Sequence, residues 1–137
     1  GRRFQESGAS SLLPYATGFR DHHWEGASDQ YEFFREYPVP TLSLAWVVEH
    51  LLSGREVGFL KIDAQGLDFK VFASLGRHIN KVRRVQMELH TNVRHKGETP
   101  CPDVVAIMRE LSFRVVSGQC SPFNLAWNDE ADIVFER

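Results

Sequence analysis

Residues 57–68 read VGFLKIDAQGLD and combine a short apolar run, a carboxylate and a glycine in one unit. The run from Val57 to Asp63 is bounded by turn residues, which is the pattern of a strand buried in a parallel sheet. Gly66 opens the next segment, whose apolar residues recur at the spacing of one helix face. These residues are Leu67, Val71, Phe72, Leu75 and Ile79. The pattern therefore predicts a strand, a tight turn and a helix in direct succession.

A helix is predicted before this unit and a second strand after it. Thr41 or Ser43 can cap a helix whose apolar residues follow the i, i+3, i+4, i+7 rule as far as Leu51. Residues 82–89 carry the apolar positions of a strand that ends near Glu88 and His90.

One further helix and two strands complete the pattern. Pro102 suits the first turn of a helix, and the apolar residues after it keep helical spacing as far as Leu111. Residues 113–116 and 131–135 each predict a strand. Because only loop-like residues separate these two strands, an antiparallel pair is the natural arrangement.

Strands that alternate with helices and finish in a strand pair indicate the α/β fold class. We expect a mostly parallel sheet with an antiparallel C-terminal strand pair. In such sheets ligands bind at the carboxyl ends of the parallel strands. Asp63, Glu88 and His90 follow or end predicted strands, so we expect them to line the functional site.

The composition supports a single folding unit and argues against two classes of partner. The chain has 137 residues, of which 42% are hydrophobic, enough for one core. Its formal net charge is −2 and its Lys and Arg residues are scattered, so no field attracts nucleic acid. No apolar run approaches the roughly 20 residues that span a bilayer. We expect no nucleic-acid partner and no membrane segment.

The two cysteines, Cys101 and Cys120, lie far apart in the sequence. Their spacing signals neither a zinc site nor a disulfide framework, so free thiols in a reducing compartment are expected. The N-terminal residues show no signal-peptide pattern. The sequence therefore predicts a cytoplasmic or other intracellular soluble compartment, with an upstream targeting sequence left open.

The order of these motifs resembles the FkbM methyltransferase domain. The resemblance rests on Val39-Pro40-Thr41 before the first helix, on residues 59–68 and on the strand that ends in residues 87–89. It extends from about Val39 to the end of the chain. It implies a Rossmann-like class I methyltransferase sheet with S-adenosylmethionine as methyl donor. The implied acceptor is most often an oxygen of a small molecule, sugar or lipid-like substrate.

Two positions depart from the family pattern. Gln65 stands where the family usually carries Glu, and Ala45 stands where it usually carries Asp. Gln keeps the hydrogen-bonding reach of Glu but lacks its charge. The resemblance therefore does not carry over any role that needs an anion at position 65.

A larger departure concerns the glycine-rich turn that cradles the cofactor in this family. The chain has no two glycines spaced as G-x-G, and no strand precedes such a turn in its first residues. We expect residues 1–38 to be an irregular segment and residues 39–137 to be the C-terminal part of a methyltransferase-like α/β domain. With the N-terminal strands missing, this chain alone should bind S-adenosylmethionine poorly or not at all and be inactive.

Two functions follow from these observations. The first is S-adenosylmethionine-dependent methyl transfer to an oxygen of a small-molecule acceptor, as part of a longer protein, and the acids at the strand ends favour it. The second is a non-catalytic α/β binding or interaction module derived from a methyltransferase. Gln65 and the missing glycine turn favour this second function. The sequence does not determine the oligomeric state.

For methyl transfer, Asp63 is expected to line the catalytic site and to contact the cofactor. Glu88 and His90 are expected to reach the acceptor, with His90 able to act as a base. Gln65 is expected to hold a backbone group or the ribose of the cofactor. The structural alternatives are that Asp63 caps the turn at Gly66 and that Glu88 and His90 bind a loop.

A metal site is not expected from the sequence. The candidate ligands match no recognised ligand spacing. They are His22, His23, Glu25, His90 and His95. A metal-dependent hydrolase built on Asp63, Glu88 and His90 is therefore a weaker third hypothesis.

Overall fold

The computed structural model describes residues 11–14, 38–122 and 130–137. Its helices are α1 (Leu44–His50), α2 (Asp68–Ala73) and α3 (Cys101–Glu110), with a 3₁₀ helix at Gly76–Lys81. Its strands are β1 (Leu60–Ile62), β2 (Arg84–His90), β3 (Arg114–Ser117) and β4 (Glu130–Glu136). None of these helices has the length and hydropathy needed to cross a bilayer. Most of the segment predicted to be irregular, including His22, His23 and Glu25, lies outside the described residues.

The four strands form one mixed sheet in the order β1-β2-β4-β3. Strands β1 and β2 are parallel, and β4 is antiparallel to both of its neighbours, β2 and β3. Strands β1, β2 and β3 therefore point in one direction, and β4 is the reversed strand. The predicted α/β class and the antiparallel C-terminal strand pair are confirmed.

Local sequence signals explain where the first helix and the first strand lie. Ser43 caps α1, because its Oγ accepts a hydrogen bond of 3.2 Å from the amide of Trp46. The predicted strand from Val57 is shorter than expected, since Val57 forms only an isolated parallel bridge with Val82. The regular ladder begins at Leu60, which pairs with Val85.

The single helix predicted from Leu67 to Ile79 is interrupted in the structure. Helix α2 ends at Ala73, and Gly76 adopts a φ of +51°, which is left-handed and ends a regular helix. The chain then continues as the 3₁₀ helix. The apolar stripe still serves its purpose, because Phe72 and Leu75 are both buried in the core.

The core lies between one face of the sheet and helices α2 and α3. In β2 every second residue faces this core, as the two-residue period of a strand requires. The buried members are Val48, Ile62, Phe72, Leu75, Val82, Val85, Met87, Leu89, Cys101, Val104, Met108, Phe113, Ile133 and Phe135. The rings of Phe72 and Phe113 meet edge to face, with centroids 5.7 Å apart. The opposite face of β2 carries the polar side chains of Gln86, Glu88 and His90.

The buried carboxylate of Asp68 joins the turn after β1 to β2. Its Oδ2 accepts from the amide of Ala64 at 3.3 Å, and its Oδ1 accepts from the amide of Glu88 at 3.2 Å. Ile62 and Met87 form the last pair of the β1/β2 ladder, so Asp68 connects the two segments directly beyond the end of β1. Burial raises the pKa of Asp68, although the hydrogen bonds from these amides act to lower it.

The prediction of free thiols at Cys101 and Cys120 is wrong, because the two residues form a disulfide. Cys101 begins α3, and Cys120 lies in the loop that follows β3. The fold brings their Cα atoms to 5.8 Å across a sequence separation of 19 residues. The spacing of two cysteines carries no information about such a contact, since it depends on how α3 packs against the sheet.

Replacing Asp68 by Ala should lower the free energy of unfolding by about 3 kcal/mol, because two partly buried amides lose their acceptor. Urea unfolding measures this change. The control is Asp103→Ala, which removes an exposed carboxylate from the first turn of α3. That variant should lose less than about 1 kcal/mol. Equal losses in the two variants would contradict the bridging role of Asp68.

Reducing the disulfide should lower the free energy of unfolding by about 3 kcal/mol, because a loop of this size gains entropy in the unfolded chain. Urea unfolding with and without dithiothreitol measures the change. The double variant Cys101→Ser/Cys120→Ser should match the reduced protein and should not respond to dithiothreitol. A thiol assay on the unreduced, denatured protein should find no free thiol, and finding two would show that the bond is absent.

Candidate functional site

Polar side chains from three strands meet at the carboxyl ends of β1 and β2. We call Asp63, Gln65, Glu88, His90 and Glu130 the strand-end cluster. Asp63 and Gln65 follow β1, Glu88 and His90 end β2, and Glu130 begins β4. Hydrogen bonds and ion pairs connect neighbouring members of the cluster. The structure therefore brings together the site residues predicted from the sequence and adds Glu130, which the sequence analysis did not single out.

The pairing of β2 with β4 places the acidic and imidazole groups on one face of the sheet. Glu88 and His90 are two residues apart in β2, so they share a face. Glu130 is the direct partner of His90 in the antiparallel ladder, and directly opposed residues also share a face. This face is opposite to the one on which Met87 and Leu89 enter the core.

Gln65 links the turn after β1 to Glu88. Its Nε2 donates to Glu88 Oε1 at 2.9 Å and lies 3.5 Å from Asp63 Oδ1. Asp63 also lies 3.3 Å from Lys61 Nζ, and its side chain is 45% exposed. The amide of Ala64 in this turn is bound by Asp68 rather than by Asp63. Asp63 therefore remains accessible to a ligand, and the turn takes its carboxylate acceptor from elsewhere.

The cluster has an excess of negative charge that acts on Glu88. Burial raises the pKa of Glu88 to about 7, and the negative charges of Glu130 and Asp63 act in the same direction. The nearby His90 partly opposes this effect. A positively charged ligand or a proton would relieve the repulsion among these carboxylates.

Glu98 orients His90 from the loop after β2. The buried carboxylate of Glu98 accepts from the backbone amides of Arg94 at 2.9 Å and His95 at 3.0 Å, and it contacts His90 Nδ1. Burial acts to raise the pKa of Glu98, but the hydrogen bonds from His90 and His95 outweigh it and hold that pKa well below its usual range.

The ionised state of Glu98 determines which nitrogen of His90 carries a proton. A carboxylate without a proton can only accept, so Nδ1 of His90 must donate to Glu98. Nε2 of the same ring lies 3.5 Å from Glu130 Oε2. Nδ1 therefore makes the bond to a loop that was the structural alternative for His90. Nε2 faces the strand-end cluster.

Glu98 and Glu130 were missed because their roles depend on contacts that are distant in the sequence. Glu98 lies eight residues after His90, in a loop without a clear pattern. Glu130 stands directly before the predicted strand 131–135, which the sequence pairs with residues 113–116 alone. Placing that strand beside β2 as well would have indicated the contact between Glu130 and His90.

The strand-end cluster contains two kinds of possible ligand group. Asp63 and Gln65 offer oxygen and amide groups at its accessible side. The ligand atoms of Glu88, His90 and Glu130 all lie within 4.8 Å of one another, which is close enough to surround a metal ion. The sequence spacing predicted no metal site, because these three residues come together only through the β2/β4 pairing.

Comparison with known families gives one match. The family model of the methyltransferase FkbM domain matches residues 3–115. This range covers most of the chain and includes β1, β2 and the turn between β1 and α2. It begins earlier and ends earlier than the resemblance from Val39 to the C-terminus suggested. Neither the curated proteins nor the solved structures contain a match to this chain.

The Gly66→Ala variant should be destabilised by about 1–3 kcal/mol, because its backbone is left-handed and the position has no room for a side chain. Gly66 has a φ of +90°, and an added Cβ would lie 2.7 Å from His95 Nδ1. Gly58→Ala in the same segment is the control, since an added Cβ there meets no atom within 4 Å. Urea unfolding compares the two variants, and equal stability would exclude the close packing of the turn on His95.

Proposed function

The chain belongs to the methyltransferase FkbM domain family, and we propose that it forms part of a longer S-adenosylmethionine-dependent enzyme. The proposed reaction methylates an oxygen of a small molecule, sugar or lipid-like acceptor. The family match supports methyl transfer in general. The position of Asp63, Glu88 and His90 at the carboxyl ends of β1 and β2 is the observation that carries the proposal to this site, because ligands of parallel sheets bind there.

The sheet is consistent with the Rossmann-like class I fold that belongs to this proposal. Three strands run in one direction, and the last strand, β4, is reversed and inserted between β2 and β3. Strand β1 leads through a turn that contains Gly66 into α2, which is the strand–turn–helix order found in nucleotide-binding sheets. This arrangement supports our proposal that the cofactor binds beside the strand-end cluster.

The chemistry of the cluster fits the proposed cofactor. S-adenosylmethionine supplies a methyl group on a positively charged sulfonium. The exposed carboxylate of Asp63 can accept hydrogen bonds from hydroxyl or amino groups, and the side chain of Gln65 lies beside it. The negative charges of Asp63, Glu88 and Glu130 favour a cationic ligand. We assign Asp63 and Gln65 to the cofactor on these grounds.

Glu88 and His90 are assigned to the acceptor. A hydroxyl acceptor loses its proton when its oxygen is methylated, so a nearby base assists the transfer. Nδ1 of His90 donates to Glu98, and we assign Nε2, which faces Glu130, as the atom that takes this proton. The ionised Glu98 then stabilises the imidazolium that forms, in the manner of a carboxylate–histidine pair. Glu88, less buried than His90, can accept a hydrogen bond from the arriving hydroxyl.

One observation favours the second function, a non-catalytic module. The amide of Gln65 already donates to Glu88 within the protein. A side chain that is used in this way contributes to holding the turn rather than to holding a ligand. The experiment below separates this function from methyl transfer.

Calorimetry with S-adenosylmethionine tests the proposal on this chain and on the same chain extended by the residues encoded directly upstream. The extended form should bind, and this chain alone should bind weakly or not at all. In the form that binds, Asp63→Ala should weaken binding at least about tenfold, or 1.4 kcal/mol. Glu56→Ala is the control, because Glu56 is an exposed carboxylate that lies before the start of β1, away from the end at which Asp63 follows it.

The outcomes of this experiment separate the two functions. Binding that depends on Asp63, followed by release of S-adenosylhomocysteine when hydroxyl acceptors are added, would support methyl transfer. Binding by neither form would overturn the proposal and favour the non-catalytic module. Equal effects of Asp63→Ala and Glu56→Ala would show that the cofactor lies away from the ends of β1 and β2.

A further inference from the structure

We propose that Glu88, His90 and Glu130 bind a divalent transition-metal cation. The three side chains offer two carboxylates and one imidazole, and their ligand atoms lie within 4.8 Å of one another. Binding of the cation does not depend on the proposed methyl transfer, because all three ligand residues belong to the described part of this chain.

The first support comes from the way His90 is held. The ring is 1% exposed, and its Nδ1 contacts the carboxylate of Glu98. Histidines that bind metals commonly donate their other ring nitrogen to a carboxylate, which fixes the ring and strengthens the ligand. This arrangement directs Nε2 towards Glu130, whose Oε2 lies 3.5 Å away. Glu98 would therefore orient the ligand without itself contacting the cation.

The second support comes from the charges around Nε2. A neutral imidazole Nε2 and a carboxylate oxygen are both acceptors, so their approach is unfavourable unless a proton or a cation lies between them. Glu88 adds a second carboxylate, and Gln65 donates to only one of its oxygens, Oε1. Within the described residues, no hydrogen bond engages the other oxygen of Glu88, so this oxygen can contact a cation. A divalent ion would neutralise the repulsion between Glu88 and Glu130.

The third support is the rigidity of the three positions. Glu88 and His90 belong to one strand, and Glu130 is held opposite His90 by the β2/β4 ladder. Ligands on paired strands require little reorganisation when a metal binds. Arg94 Nη1 lies 3.1 Å from Glu130 Oε2, so a cation must compete with this guanidinium. We therefore expect moderate rather than very tight affinity, with a Kd of about micromolar order.

The ligand types indicate which cations suit the site. One imidazole with two carboxylates matches Zn²⁺, Fe²⁺ and Mn²⁺, whereas Mg²⁺ and Ca²⁺ prefer oxygen ligands alone. Under the proposed methyl-transfer function, on which this step rests, the bound cation would replace Nε2 as the group that favours the deprotonated acceptor. It would bind the hydroxyl oxygen of the acceptor while the hydroxyl proton passes to water.

Calorimetry with ZnCl₂ alone and with MnCl₂ alone tests the site, after treatment with EDTA and dialysis. The wild-type protein should show one binding event that Glu130→Gln weakens at least tenfold. Glu136→Gln is the matched control, because Glu136 lies in the same strand, pairs with Arg114 as Glu130 pairs with Arg94, and is similarly exposed. This control should bind as the wild type does.

Thermal melting gives a second readout on the same proteins. Zn²⁺ or Mn²⁺ at about ten times the wild-type Kd should raise the Tm of the wild type and of Glu136→Gln, and it should raise the Tm of Glu130→Gln much less. Glu88→Gln should behave like Glu130→Gln, and it avoids replacing the fully buried His90. Absence of binding to the wild type, or equal binding to Glu130→Gln, would overturn the proposal. No S-adenosylmethionine is present, so failure of the methyl-transfer proposal would leave these results unaffected.

Discussion

The two hydrogen bonds accepted by the buried carboxylate of Asp68 hold the site end of the sheet together. Strand β1 stops at Ile62, and from that point the amides of Ala64 and Glu88 need an acceptor that β1 no longer offers. Each oxygen of Asp68 accepts from one of these amides, which fixes the distance between the turn after β1 and the end of β2. The position of Gln65 against Glu88 depends on this connection. A charged group is buried here because a neutral side chain with a single acceptor would leave one of the two amides unsatisfied.

The site around that connection is dominated by carboxylates. It contains Asp63, Glu88 and Glu130, and a fourth carboxylate, that of Glu98, contacts Nδ1 of His90. Such crowding is costly in the absence of a proton or a cation, and it adds to the burial that raises the pKa of Glu88. A sulfonium cofactor and a divalent cation would each lower that cost. The methyl-transfer proposal and the cation proposal therefore draw on one electrostatic property, although each depends on different side chains.

The disulfide alters the argument about where the protein resides. The intracellular compartment was expected from free thiols at the two cysteines, together with the lack of a signal-peptide pattern and of an apolar run that could span a bilayer. Cys101 and Cys120 are bonded instead, and disulfides persist mainly in oxidising compartments. That expectation has therefore lost one of its supports. The bond also fixes the first residue of α3 to the loop after β3. It therefore links the parts of the chain that come before and after β3.

The order of helices and strands was determined by the sequence itself. Periodicity and capping residues act over a few positions, which is why Ser43 at the start of α1, the helix after Pro102 and the C-terminal strand pair were all predictable. The same local signals put Asp63, Glu88 and His90 at strand ends. Only the tertiary structure decided that Glu130 lies beside His90, that Glu98 orients His90 and that the cysteines are bonded. These contacts depend on which strands become neighbours and on where loops return, and no short-range pattern encodes either.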